Sequence, residues 1–542
     1  MNRLIALALI LCLLLTGCAN LPQLPQQETT ESTEPYVPQR EERVVEMATR
    51  FGLAYIPEYG FNPYKCTCIT NRPVISLCYE GLFVLGTNFQ PEPVLCDKFA
   101  VSESGKIYLF TLCEGAVFSD GSSVTAEDVV ASLRAAKGSD YYGSRFSKVA
   151  EFSAKGSRPV QIILEVPYEN LPLLLDVPVV KSGTVDAALP VGSGPYRLVE
   201  SSTSKGLVRN TNWWQSGQAP VEFPRITLTA CANPSEVRDS FEFGATSLVC
   251  ADLNAPTAVG YRCDYELWDD RTTIMQYLGF NLNYGLFTNK ELRAAVTHII
   301  DRQTIVASVY KGFAEPAFLP CAPASPLYDQ DLARDYRYDK NVFLTAKRAA
   351  GITEEDSGVL LVCSADPTRM ETAHRIADTL KEVGVRMEIR AQDYETYRRS
   401  LANGEYDLYI GEARLSGNFD LSEFFMGYGS LCYGGLQSGE MYKLCTDALE
   451  NSGNCYTLQK SVMDGGYFCP LLFKSYAVMA NRGAITSLQP AVDAVFHLSG
   501  GRTLADASIS YDEMVGNVQP DQTPEETSEE TSEETVEETG EG

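Results

Sequence analysis

Few residues in this chain have the types and spacing for covalent or metal chemistry. Its three histidines, His298, His374 and His497, lie far apart in sequence, which leaves little for an imidazole metal cage or a histidine relay. Neither a Gly-x-Ser-x-Gly elbow nor a His-Glu-x-x-His run is present. Gly192-Ser193-Gly194 is only a fragment of such an elbow, and a serine nucleophile needs a base beside it. The longer stretch Gly192-Ser193-Gly194-Pro195-Tyr196 lacks the Lys-Ser or Lys-Thr and the helix start of a phosphate loop, so it reads as a turn entering a strand. The chain has 16 cysteines but no Cys-x-x-Cys, and Cys66-Thr67-Cys68 is too tight for a relaxed bridge to itself. Setting aside Cys12 and Cys18 leaves fourteen, an even number that permits disulfides in an exported chain. Cys445/Cys455 and Cys432/Cys469 are candidate pairs; the other reading is that the thiols are small buried hydrophobes. No catalytic residue, bound metal or cofactor is expected.

The 542 residues are too many for one ordinary core and imply two to four domains. With 44 Lys and Arg against 71 Asp and Glu, the formal charge is -27. A phosphate backbone must be neutralised by clustered cations, so nucleic acid is excluded as a partner. The last 22 residues, Asp521 to Gly542, hold ten acids and no bases, which still leaves -17 on the rest.

Both ends of the chain read as lying outside the folded body. Met1-Asn2-Arg3 precedes an apolar or small run from Leu4 to Leu15, too short for a spanning helix, and reads as an export signal over 1–17. Leu15-Thr16-Gly17-Cys18 resembles a bacterial lipobox, which makes Cys18 the lipidated first residue of the mature chain; an ordinary signal with a stray cysteine is the alternative. Residues 18–43, rich in Pro, Gln, Glu and Thr, bury too little to offset their ordering entropy and form a tether. Residues 511–542 read as a disordered acidic tail, with Glu-Glu-Thr-Ser repeats in Pro524 to Glu534 that repel and stay solvated. Membrane contact is expected by the lipid anchor only, on the extracellular or periplasmic face.

Between these ends, short apolar strands alternate with amphipathic helices, which predicts an α/β body. Strands are expected at Val44 to Ala54, Lys106 to Leu112, Tyr196 to Glu200, Tyr277 to Asn283, Val385 to Ala391 and Tyr406 to Ile410. Helices are expected at Val74 to Glu80, Thr125 to Ala136, Asn289 to Tyr310, Ala373 to Val383 and Tyr394 to Ala402. Thr125 with Asp128 three positions on forms a capping-box pair.

Several of these segments together resemble the extracellular solute-binding proteins of peptide-type ABC importers, the family 5 oligopeptide and dipeptide binders. The strongest is Val117 to Val129, where Phe118-Ser119-Asp120-Gly121 leads into Thr125-Ala126-Glu127-Asp128-Val129. Further matches follow in the family's order: Gly192 to Tyr196 with Arg209-Asn210, Leu278-Gly279-Phe280-Asn281, Leu292 to Val296, Ile300-Asp301-Arg302, and Ala346 to Gly351 before Val383-Gly384-Val385. These signature residues read as scaffold, with Ile300-Asp301-Arg302 capping and pinning a helix. The resemblance covers nearly all of Val44 to about Ser510. It implies a type II periplasmic-binding-protein-like, two-lobed α/β clamp with an extra subdomain (cluster C-like). Lobe I is expected at 44–80, 191–276 and 475–510, the extra subdomain at 81–190 and lobe II at 277–474, with hinges near Gln276-Tyr277 and Lys474-Ser475.

The resemblance also suggests ligand contacts. Aligned on Phe424-Phe425, the family's amine-binding aspartate falls on Gly417 and the preceding aromatic on Arg414. An arginine there favours a carboxylate-bearing ligand. Asn418 lies in the same stretch, and Glu412 or Asp420 could serve an amine, although Asp420 also suits a helix N-cap. Arg369 lies within one residue of the dipeptide binders' carboxylate contact, and Tyr64 and Trp213 or Trp214 offer apolar walls. The implied function is capture of a peptide or peptide-like solute by a monomer that hands it to ABC permease subunits. A lipid-anchored sensor or adhesin using the same clamp, and an exported hydrolase, are the competing readings.

Overall fold

The computed structural model describes residues 48–517 apart from 202–203, 216–218 and 486. The expected signal, Cys18, the tether and the tail from 518 onward lie outside the described residues.

The main sheet runs, in spatial order, through Tyr196–Glu200, Lys205–Arg209, Arg225–Ala230, Phe51–Tyr55, Leu248–Ala251, Phe468–Asn481, Tyr265–Phe280, Leu408–Arg414, Ser357–Cys363 and Arg386–Gln392, with Ala314–Pro316 added beside Phe468–Asn481. Phe51–Tyr55 is buried along its length and pairs in parallel with strands on both sides, which explains its continuous apolar run. Tyr265–Phe280 and Phe468–Asn481 are longer than the rest and pair antiparallel with each other, with register shifts between Arg271 and Met275 and between Gln276 and Tyr277. These two strands carry the chain between the two halves of the sheet. A separate four-stranded antiparallel sheet comprises Cys96–Val101, Ile107–Leu112, Pro159–Leu164 and Val149–Ala154.

The local signals correspond closely to the elements. The helix Ala126–Lys137 starts at Thr125 with a complete capping box to Asp128. Leu408–Arg414 and Tyr265–Phe280 cover each other's glycines: the Tyr409 ring lies where a Cβ on Gly279 would be, and the Tyr277 ring does the same at Gly411. Side chains at those two positions would push aromatic rings out of the core.

Three expectations need correction. The long helix over Asn289 to Tyr310 is two, Lys290–Val296 and Arg302–Ser308. Asp301 caps the second by accepting from the Thr304 N–H at 3.0 Å, and a residue that bonds backbone locally starts a new helix more readily than it continues an old one. The segment from 511 is not wholly without structure, since Tyr511–Asn517 is helical and Met514 is buried beside Ala100 and Leu109. All fourteen body cysteines are free thiols, including those of the two candidate pairs.

Candidate ligand-binding site

The sheet halves and the four-stranded-sheet region bring charged side chains together at one place. Arg72 is the first residue of the helix Arg72–Cys78, which follows the loop after Phe51–Tyr55. Arg414 ends the strand Leu408–Arg414 in the opposite half. Asp493 comes from the chain after the long return strand and lies between the two. Its carboxylate accepts from Arg414 Nη1 at 2.6 Å through both oxygens and from Arg72 Nη1 at 3.1 Å.

Tyr141 completes the frame: both guanidinium groups lie over its ring, at 5.4 Å for Arg72 and 5.2 Å for Arg414, which favours cations. Tyr476 OH accepts from Arg414 Nη2 at 3.1 Å. Burial pushes the Asp493 carboxyl up, but Arg414 and then Arg72 outweigh it and hold it below the usual aspartate range. A cavity of about 110 Å³ adjoins this cluster, lined among others by Arg72, Tyr141, Tyr142, Arg145, Asp176 and Asp493. Arg145 is ion-paired with Asp176, so the walls carry charges of both signs.

The sequence-derived candidates do not all converge here. Arg414 does. Trp213 stands behind the cavity wall, donating from Nε1 to Glu80 at 3.0 Å, with Trp214 Nε1 on the other carboxylate oxygen at 3.1 Å. Tyr64 is buried and donates to the Pro178 carbonyl at 2.7 Å. Asn418 donates to Tyr168 OH, and Asp420 accepts from the Ser422 N–H at 2.9 Å and its hydroxyl at 2.6 Å. Asn418 and Asp420 line a different and much smaller cavity, of about 20 Å³, and burial pushes the Asp420 carboxyl up. Gly417 has no room for a side chain, because a Cβ there would meet the Leu173 carbonyl and Leu85.

Arg369 bonds Asp366 from Nε at 2.8 Å at the start of the helix Pro367–Glu382. It belongs to a second buried ionic group, in which Lys474 meets Asp252 at 3.2 Å and Glu412 at 3.7 Å. Sequence reasoning missed Arg72, Tyr141 and Asp493. The available signal was the lone acid at Asp493 inside the apolar run Ala491 to Phe496, because an isolated buried charge requires a partner.

Among the described residues no helix is long and apolar enough to cross a membrane, and no group of three or more His, Cys, Asp or Glu side chains is placed to hold a metal.

Residues 90–433 match the family "Bacterial extracellular solute-binding proteins, family 5 Middle". The glutathione-binding protein GsiB of Salmonella typhimurium is 24% identical over 356 residues, covering 61% of this chain and 67% of that protein. Among solved structures, the periplasmic murein tripeptide binding protein MppA in its unliganded open form superposes with a TM-score of 0.66 at 17% identity, covering 81% of this chain and 94% of that one. The ABC transporter substrate binding protein CtaP of Listeria monocytogenes gives 0.66 at 15%, covering 80% and 94%. Members of this family work outside the cytoplasm as binding components of ABC transporters, and the fold here is their two-lobed α/β architecture. The chain belongs to the bacterial extracellular solute-binding proteins of family 5.

Proposed function

We propose that this chain captures a peptide or peptide-like solute between two lobes and delivers it, chemically unaltered, to the permease subunits of an ABC importer. Lobe I comprises 44–80, 191–276 and 475–510, the extra subdomain 81–190 and lobe II 277–474. The lobes swing at the register shifts of the two long strands. Cys18 carries the lipid that holds a monomer at the outer face of the membrane.

The observation that supports this reading most is that Arg72 and Arg414, from opposite halves of the sheet, meet on Asp493 over the Tyr141 ring, beside a cavity that Arg72, Tyr141 and Asp493 line. Closing such a cleft excludes water and strengthens each polar contact to the guest. The charges of both signs suit a short peptide, and the likeness to a glutathione-binding protein makes a small tripeptide with two carboxylates a sensible first probe.

The test is mass spectrometry of solutes that co-purify with residues 44–542, then calorimetry and small-angle scattering with those solutes, glutathione and free tripeptides. Stoichiometric binding of an intact compound with a smaller radius of gyration is the expected result. Turnover of the bound compound, or scattering unchanged by every one of them, would overturn the proposal.

A further inference from the structure

Asp493 is an unusual residue to find between two arginines of opposing halves. Its backbone is left-handed, with φ of 59°, a conformation that residues with a Cβ adopt less readily than glycine. Its chain is pinned on both sides of that turn. Asp493 N–H donates to the Arg271 carbonyl at 2.9 Å, Val492 N–H to the Leu85 carbonyl at 2.9 Å, and Ala491 N–H to the Ala494 carbonyl at 2.8 Å. Arg72 Nη1 reaches the Asp493 carbonyl as well as its carboxylate, at 3.1 Å each. The side chain is 7% exposed. A strained turn, held by backbone bonds to two other segments, thus presents a carboxylate to a pair of guanidinium groups that belong to different halves of the sheet.

We propose that Asp493 is an internal competitor for the solute: its carboxylate occupies the anion receptor formed by Arg72 and Arg414, and a solute carboxylate displaces it. This inference rests on the solute-binding reading and narrows it to carboxylate-bearing solutes. Because Asp493 is held beside both guanidinium groups, it competes at an effective concentration that a dilute free carboxylate does not match. Weak carboxylates are rejected. A solute that also engages the cavity walls gains enough to win the arginines. The same carboxylate ties the halves together, so its removal loosens their association as well as unmasking the receptor.

The variant that separates these effects is Asp493→Gly, since glycine adopts the left-handed turn freely. Asp493→Asn, which keeps the size but not the charge, serves as a second variant in case the glycine chain folds poorly. Two probes are used, acetate and, as its uncharged counterpart, acetamide. Scattering is expected to give a larger radius of gyration for either variant than for the parent chain, and millimolar acetate, but not acetamide, to bring it back. Trialanine is expected to bind Asp493→Gly about tenfold or more tightly than the parent, whereas its C-terminal amide shows no such gain.

Variants as compact as the parent and indifferent to acetate would overturn the inference while leaving solute capture standing. Acetate rescue without binding of any peptide would uphold the internal competitor and sink the peptide reading instead. Equal rescue by acetamide would show that space, not charge, is what Asp493 fills, and would also overturn it.

Discussion

Glu80 shows how a single residue can set a pH response. It is buried, and burial pushes its carboxyl up to about 7, with hydrogen bonds from Trp213, Trp214 and Gln215 pulling it only part of the way back. In the unfolded chain the group titrates near 4.5. Between these values the folded state holds a proton that the unfolded state has released. Its contribution is therefore complete below pH 4.5 and declines as pH rises towards 7, by up to ~3 kcal/mol in all. Glu80→Gln cannot ionise. Urea unfolding at pH 5, 6, 7 and 8 is expected to show a steeper loss of stability in the parent chain than in this variant. At the same scale, Arg414 was identified through the Phe424-Phe425 motif, but its partners were not. Residues 72, 141, 414 and 493 are brought together only by the folded chain, and nothing local in the sequence says which cation meets the buried acid at Asp493. Arg414→Ala leaves that acid with Arg72 alone. It is expected to weaken binding of a carboxylate-bearing solute by tenfold or more in calorimetry, in keeping with the ~1.5–3 kcal/mol of a charge-assisted bond.

Elements were legible wherever the decisive interaction is short-range. The Thr125 to Asp128 cap and the strands Lys106 to Leu112 and Tyr196 to Glu200 depend on neighbours within a turn or a strand pair, and they formed within a residue or so of expectation. The helix over Asn289 to Tyr310 broke for a tertiary reason as well as for the local Asp301 cap. Its apolar face persists through Ile299 and Ile300, yet Arg302 turns inward and is 1% exposed. There it donates to the carbonyls of Thr297, Ala317 and Pro470 and to the Thr297 hydroxyl. Breaking the helix frees the Thr297 carbonyl for this use, and the guanidinium in turn satisfies carbonyls that would otherwise be buried without a donor. Arg302→Met retains the volume but orphans those carbonyls. It is expected to cost about 3–5 kcal/mol, read as a lower urea midpoint, whereas Gln303→Ala on the exposed side of the same turn changes little.

At the scale of the molecule, the two halves of the sheet are joined by side chains as well as by strands. Lys474 lies on the long return strand, with its side chain 7% exposed. It meets Asp252, which follows the strand Leu248–Ala251 of one half, and Glu412 in the strand Leu408–Arg414 of the other. Asp252 and Glu412 are the acids that lose this cation when it is removed, and a buried charge left alone costs more than the pair contributed. Lys474→Met should therefore loosen the coupling of the halves as well as lower stability by ~3 kcal/mol. The three tryptophans give a direct readout, since Trp213, Trp214 and Trp268 all pack in or beside the half that holds Phe51 and Leu53. Their fluorescence follows that half, whereas far-ultraviolet circular dichroism follows the whole chain. In the parent the two probes are expected to give one urea midpoint, because the Lys474 contacts make the two halves unfold together. In Lys474→Met they should separate, and adding Glu412→Gln should draw them partly back together by removing the acid left without its cation. Coincident midpoints in the single variant would mean that the Lys474 contacts have no part in coupling the halves.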